Sequence, residues 1–441
     1  MNDTQTGTVE NPAYVRAEMI PEQAPPATQV GVIKWLRENL FSSWANTLLT
    51  IVSVYVVYWI IGHIFGWTFF GIWDAGSLSE CRAIRDERYG EGASVACWAV
   101  IADRWDQLMF GFYPSELYWR PVLAMALFLV AIAPVLYDNL PRKMLFFTVV
   151  SPFLLVWILW GGSIWGPVCV ALGFVLGWAV LSYGTALIGR LGATIAAILV
   201  PILYWLFAAG PISAALGSVA PIGLEAISSD EFGGFLLALV IGISSIVLSL
   251  PLGIALALGR QSDLFIINKS SVMFIEVIRG VPLIVWLFTA SLLLNYFLPP
   301  GTNFDLMLRV IIMVTLFAAA YIAEVIRGGL AALPAGQYEG ADSLGLDYWQ
   351  SMRLIVLPQA LKISIPGIVS TFIGIFKDTT LVVFIGLLDP IGFTNAIRAS
   401  TDWNGIYWEL FIFIGLCFFV ACFSMSQYSQ YLERKLRTDN R

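Results

Sequence analysis

Apolar residues run through this chain in stretches of roughly twenty, the length a helix needs to cross hydrocarbon at about 1.5 Å per residue. Segments such as FLLALVIGISSIVLSLPLGIALAL (235–258) and ELFIFIGLCFFVACFSMSQY (409–428) are apolar on all sides. A helix surrounded by lipid or protein reads this way, whereas a membrane β-barrel needs segments of about ten residues that alternate in polarity. The pattern predicts an all-α polytopic membrane protein. About ten transmembrane helices are expected, centred near residues 56, 128, 152, 175, 201, 245, 287, 319, 376 and 420.

Composition agrees: of 441 residues, 59% are hydrophobic and only 12% charged, and the mean hydropathy is +0.80. The net charge of −6 says little, because the placement of Lys and Arg in short loops decides orientation. PRK at 141–143, Arg190, Arg260 with Lys269, Arg353 with Lys362 and the terminal ERKLR share one side if the N-terminus lies there too. Arg309 and Arg398 fall opposite. The balance puts both termini in the cytoplasm and the mixed-charge loop 66–119 outside. No basic patch suited to nucleic acid is visible.

The first 44 residues, with NPAY and PEQAPPATQ, read as a cytoplasmic tail, disordered at its start. Val32, Leu36, Leu40 and Trp44 lie four apart and predict an interfacial helix that keeps Lys34 and Arg37 among lipid headgroups. The segment is too long and too weakly basic for a signal-peptide leader, so the first span is expected to be retained. Residues 45–210 hold the front spans. Residues 211–230, rich in Gly, Pro and Ser, read as an external connection. Residues 231–431 hold the back spans with a cytoplasmic loop at 332–364, and 432–441 is a cytoplasmic tail.

Specialised chemistry is sparse. Five cysteines show no metal-ligand spacing, and Cys169, Cys417 and Cys422 read as small packing residues. Cys81 and Cys97 share the external loop, where an oxidising compartment permits either a pair or two free thiols. His63, the single histidine, cannot build a metal site alone. Trp73, Trp98, Trp105 and Trp119 read as interface anchors. No lysine follows a glycine, so there is no Gly-Lys-Ser/Thr phosphate loop, and no catalytic constellation appears.

The polar stretch EGADSLGLDYWQSMRLIVLP (339–358) lies between two apolar runs. Pro334 can open a short helix that Gly345 ends. Asp347 and Gln350 have the form of a capping box opening a second helix, interrupted at Pro358. Tyr338, Ala341 and Leu344 are spaced to share a face, with Gly340 and Ala341 keeping the surface low. The result is a knuckle shaped for docking, or, more plainly, an amphipathic loop resting on the bilayer.

Charges inside spans are costly unless partnered, so they mark candidate pathway residues. Lys377 and Asp378, followed by Thr379 and Thr380, stand in the span expected over 365–388. They line a path or form a structural ion pair, and the threonines commonly bond backbone. Glu276 with Arg279 and Glu324 with Arg327 repeat a Glu-x-x-Arg spacing on one helix face, suited to pairs that neutralise themselves.

Glu339, Gly340, Ala341, Gly345, Ile355, Leu357 and Pro358 match, in order and spacing, the coupling-loop signature of ATP-binding cassette importer permeases: Glu-Ala-Ala, three residues, Gly, nine residues, Ile-x-Leu-Pro. Only Gly340 departs, where the family usually has Ala. FIEVIRGVPLIVWLF (274–288), AAAYIAEVIRGGLAALPAGQYEGA (318–341) and FKDTTLVVFIGL (376–387) resemble the polar amino acid branch of that family. The likeness covers roughly 231–431, and the long front half looks like extended subunits of general or acidic amino acid uptake systems of Gram-negative bacteria. It implies a type I permease core in the C-terminal half and a non-enzymatic transport subunit in the bacterial inner membrane. Two ATPase subunits holding ATP and magnesium would dock on the knuckles, a second permease would complete a heteromeric pathway, and a periplasmic amino-acid-binding protein would deliver an L-amino acid. No cofactor is implied in this chain. Two other readings stand beside it: a secondary transporter driven by an ion gradient, with the intramembrane charges as ion sites, and a receptor or scaffold that transports nothing.

Overall fold

The computed structural model describes residues 31–137, 139–293, 296 and 305–436. The disorder expected at the start of the N-terminal tail, and the end of the C-terminal tail, fall on residues outside these. The chain divides into two units, Met1–Gly71 with Gly92–Ala96, and Ile72–Glu91 with Cys97–Arg441.

In the first unit, α1 (Gly31–Asn39) stops before Leu40 and Trp44, so the interfacial helix is shorter than the four-residue spacing predicts. Serines at 42 and 43 favour a cap over a helix interior. The Ser43 hydroxyl accepts from the Asn46 N–H at 3.2 Å and opens α2 (Trp44–Phe69), and the Thr50 hydroxyl donates back to the Leu40 carbonyl at 2.9 Å. Lys34 pairs with Glu38 on α1 at 3.9 Å. With 26 residues, α2 is long enough to span a bilayer.

The second unit holds the rest. Its front part contains α6 (Trp119–Leu136), which packs against α7 (Met144–Trp160). α8 (Trp165–Leu203) is broken at Gly189, where φ is +72°, and passes through a π turn at Tyr204–Ala208 into α9 (Ala209–Val219). Residues 211–219, expected in an external connection, are therefore helical. Gly, Ser and Ala are tolerated there because lipid offers the backbone no competing partner. Two-residue strands, β1 (Gly162–Ser163) and β2 (Gly223–Leu224), pair antiparallel where the true connection begins.

The back part comprises α10 (Gly234–Arg260), α11 (Phe265–Gly280), α12 (Leu283–Phe288), α13 (Leu306–Ala331), α14 (Ala335–Ser343), α15 (Tyr348–Ser351), α16 (Leu357–Asp378), α17 (Pro390–Arg398) and α18 (Trp408–Leu436). α11 and α12 form one broken span, bent by 102° where Pro282 cannot donate to a helix ladder. Among the described residues seven helical stretches are long and apolar enough to cross a membrane, or eight with the bent pair. Each of the ten expected centres lies within a helix once the break at Gly189 and the shorter α7 are included.

α13 is the spine of the core, with 61% of its apolar window buried against 44% for α10. Backbones meet closely where it crosses its neighbours. A Cβ at Gly253 would lie 2.6 Å from Ile322 Cγ2, and one at Gly329 would lie 2.6 Å from the Ala360 carbonyl. Small residues at such crossings let packing and dispersion replace the hydrophobic drive that lipid does not provide. One cluster gathers Leu237, Ile241, Val310, Val314 and Leu287; a second gathers Ala257, Ile275, Ile322, Ile326, Val356 and Ala360 around the other half of α13.

The long polar loop is folded. α3 (Leu78–Tyr89), α4 (Ala99–Asp103) and α5 (Trp105–Phe110) form a cap in which Cys81 and Cys97 are joined as a disulfide, their Cα atoms 6.3 Å apart. Trp98 is 7% exposed and stacks on Trp73, so it packs the cap instead of anchoring an interface. The cap is bolted to both ends of the back part. Gly111 and Gly234, at φ +73° and +55°, bring it against Gly233 and the Leu108 carbonyl with no room for a Cβ. At the other end, the Cys97 N–H donates to Glu409 at 2.9 Å, and Trp403, fully buried, donates to Asp103 at 2.7 Å.

Asp389 caps α17, its Oδ1 accepting the Gly392 N–H at 2.8 Å while Oδ2 is buried with no hydrogen-bond partner among the described residues. Burial pushes its carboxyl up to about 6, only partly opposed by backbone N–H groups. Raised above the usual value of about 3.9, this pKa means the fold favours the neutral acid. Its contribution is fully present below about pH 4 and falls by up to about 3 kcal/mol as pH rises through 6. Asp389→Asn keeps the cap without the charge. Melting curves of the two proteins in detergent should converge near pH 4 and separate above about pH 6, with the variant higher. A gap independent of pH would contradict this assignment.

Candidate functional site

The knuckle is built on the end of α13. Pro334 caps α14 from outside, so the helix opens one residue later than the sequence suggests. α14 closes in a Schellman arrangement: the Leu346 N–H reaches the Ala341 carbonyl at 3.2 Å and the Gly345 N–H reaches that of Asp342 at 2.9 Å. Gly345 takes φ +71°, which glycine adopts without strain. Asp347 and Gln350 then form both bonds of a capping box, at 2.9 and 3.0 Å.

Pro358 does not interrupt the second helix. A π turn at Met352–Val356 precedes it and widens the ladder where proline has no N–H and its ring crowds the carbonyl four residues back, so the chain runs on into α16. Ile355 and Leu357 are half-buried on this stretch.

The expected shared face of Tyr338, Ala341 and Leu344 does not form. Ala341 is 1% exposed and Tyr338 packs with the inner cluster, so these two fasten the knuckle to its own chain. A bond of 2.8 Å from Gln359 to Gln337 does the same. Leu344, 74% exposed, stands at the tip, with Glu339 and Gly340 also outward and Tyr348 and Trp349 exposed beside it. Helical spacing alone could not separate the two roles, because Leu344 is the C-cap, where the helix rotation ends.

Close by, the Glu-x-x-Arg motifs are joined across helices. Glu324 holds Arg327 on its own helix through two bonds, the one to Nε being 2.8 Å. Glu276 and Arg279, however, look to other helices: Glu276 pairs with Arg260 at 2.9 Å, and Arg279 with Glu324 at 3.6 Å. Arg260 also reaches Glu324 at 3.1 Å. In the sequence Arg260 serves only as an orientation marker, and its signal was a charge closing an otherwise apolar span.

Lys377 and Asp378 end α16, where the helix tightens into 3-10 turns through Ile385. Lys377 is exposed and Asp378 half-buried, and among the described residues neither joins an ion pair with another helix. The hydroxyls of Thr379 and Thr380 bond the carbonyls of Phe376 and Lys377, both at 2.8 Å. Among the described residues no group of His, Cys, Asp and Glu could hold a metal ion.

Comparison with known proteins gives a consistent result. Residues 249–438 match the family described as binding-protein-dependent transport system inner membrane component. The chain is 59% identical to the glutamate/glutamine/aspartate/asparagine transport system permease protein BztC of Rhodobacter capsulatus, over 97% of this chain and 99% of that one. It is 37% identical to the inner membrane amino-acid ABC transporter permease protein YhdY of Escherichia coli K12, over 92% and 93%. The probable glutamine ABC transporter permease protein GlnP of Bacillus subtilis is 32% identical over 202 residues, which is 45% of this chain but 90% of that relative. A relative of half the length is thus nearly complete without the remainder.

Proposed function

The chain belongs to the family of binding-protein-dependent transport system inner membrane components, as an amino acid ABC permease, and on that premise we propose that it is the ATP-coupled half of a heteromeric import pathway. It is a multi-pass membrane transport subunit and not an enzyme. In the proposed complex it pairs with a second permease, two ATPase subunits carry ATP and magnesium, and an extracytoplasmic binding protein supplies polar or acidic L-amino acids. The substrates in the name of BztC support that class. ATPase closure drives the knuckle, and the permeases alternate in access. The inner membrane, with both termini and the knuckle in the cytoplasm, suits the Lys and Arg distribution, and it leaves the disulfide-bonded cap in an oxidising compartment.

The observation that carries this reading is the tip of the knuckle: Leu344 exposed at the end of α14, which follows directly on the most buried spanning helix, with Tyr338 and Ala341 fixing its base. An exposed apolar side chain on a rigid mount fits a partner's groove. The domain division follows: residues 231–431 form the permease core with the coupling loop 332–364, while the front spans and the cap are additions to it. Lys377 and Asp378 are proposed to line the pathway, because charges that join no ion pair among the described residues, at the end of a span, call for substrate or a facing subunit. Glu276, Arg279, Glu324 and Arg327 are already paired, Glu276 through Arg260 and the two arginines through Glu324, and suit the framework better.

Copurification from native membrane should bring down an ATPase with the intact chain, and Leu344→Asp should reduce it by about tenfold, a loss near 1.4 kcal/mol. An ATPase that stays bound to the variant would show that the tip is not the joint. Asp378→Asn should lower uptake per assembled complex by roughly tenfold while leaving assembly intact. Lost assembly with normal turnover in the remaining complexes would instead make Asp378 a structural residue.

A further inference from the structure

Between the knuckle and the rest of the core lies a group of five charges on three helices: Arg260 on α10, Glu276 and Arg279 on α11, and Glu324 and Arg327 on α13. Two carboxylates meet three guanidiniums, and Arg260 alone bridges both carboxylates, at 2.9 and 3.1 Å. Arg279 adds a second tie to α13, reaching Glu324 at 3.6 Å and lying 5.4 Å from the ring centre of Tyr321. Arg260 and Glu324, at the centre, are only partly open to solvent, their side chains being 24% and 23% exposed, while Glu276 and Arg327 are exposed at the rim. Glu324 meets three guanidiniums and Arg260 two carboxylates, so loss of either loosens several ties at once.

Its position gives the network a task. α13 runs from Glu324 to Ala331 and enters the knuckle at Ala335 within four residues. α11 runs from Glu276 and Arg279 straight to the 102° bend at Gly280–Pro282 and into α12, whose Leu283 and Leu287 pack in the other core cluster. Displacement of the knuckle along α13 therefore reaches α10 and the bent span through the apolar contacts of Ile326 and Leu330 with Ala257 and Ile275, and through the ion pairs of Glu324. We propose that Arg260 is a positioning residue for energy coupling: it locks Glu276 and Glu324 together so that α10, α11 and α13 move as one block when the ATPase moves the knuckle. This rests on the importer reading above.

The test uses the whole complex of permeases, ATPases and binding protein in proteoliposomes, comparing Arg260→Gln and Arg260→Lys with the unaltered chain. The readouts are assembled complex, basal ATP hydrolysis, its stimulation by glutamate-loaded binding protein, and glutamate taken up per ATP hydrolysed. Arg260→Gln should assemble and keep basal hydrolysis, while stimulation and uptake per ATP fall roughly tenfold. Arg260→Lys should recover only part, because an ammonium lacks the planar fork that serves two carboxylates at once. Equal uptake per ATP in Arg260→Gln and the unaltered complex would overturn the proposal, as would a loss that merely follows the amount of complex assembled. If the unaltered complex shows no stimulation while still moving glutamate, the importer reading itself fails and takes this inference with it.

Discussion

A charge or peptide group surrounded by hydrocarbon has to find its partner within the protein, and most of this structure follows from that constraint. Arg309, 8% exposed, is held by the carbonyls of Ala290 and Ser291 at 3.4 and 3.0 Å. Thr379 and Thr380 turn their hydroxyls back on their own helix. The five charges around Glu324 close on one another. Where no polar partner is needed, glycines bring helices into backbone contact instead, as at Gly253 and Gly329. Lys377, exposed and in no ion pair among the described residues, and the bare tip of the knuckle at Leu344 are the places assigned to substrate and partners.

Much of the fold was legible because lipid simplifies the code. A run of about twenty apolar residues has few alternatives to a spanning helix, and every expected centre falls in a helix, although α7 is too short to count as a span and two centres share α8. The capping box at Asp347 and the turn at Gly345 were also readable, since both depend on neighbours along the chain. What escaped the sequence were contacts between distant segments. Nothing in the composition of 211–219 distinguishes a loop from a small-residue helix in lipid. Pro358 read as a break because a π turn leaves no local signature. The Glu-x-x-Arg spacing suggested partners three residues apart, yet for Glu276 and Arg279 geometry across helices prevailed over spacing along one. Trp403, Asp103 and Glu409 joined the cap to the final span with no sequence cue, being about 300 residues from their partners or lodged in polar turns.

The architecture suggests why such a long subunit remains compatible with a compact transport core. The cap joins the start of α10 to the start of α18 at one face of the core, and the charged network joins α10, α11 and α13 near the other. Between them α13 is enclosed along most of its length, so a force applied at its end is carried as displacement more readily than it is absorbed by bending.

The central claim is that movement at the knuckle powers translocation. Its most direct test is uptake of labelled glutamate by proteoliposomes holding the complete complex and its binding protein, with ATP and magnesium sealed inside or omitted, and with proton and sodium gradients imposed or collapsed. The account predicts uptake that requires internal ATP and survives collapse of both gradients. Uptake without ATP that follows an imposed ion gradient would contradict it and make the intramembrane charges, instead of the knuckle, the seat of the driving force.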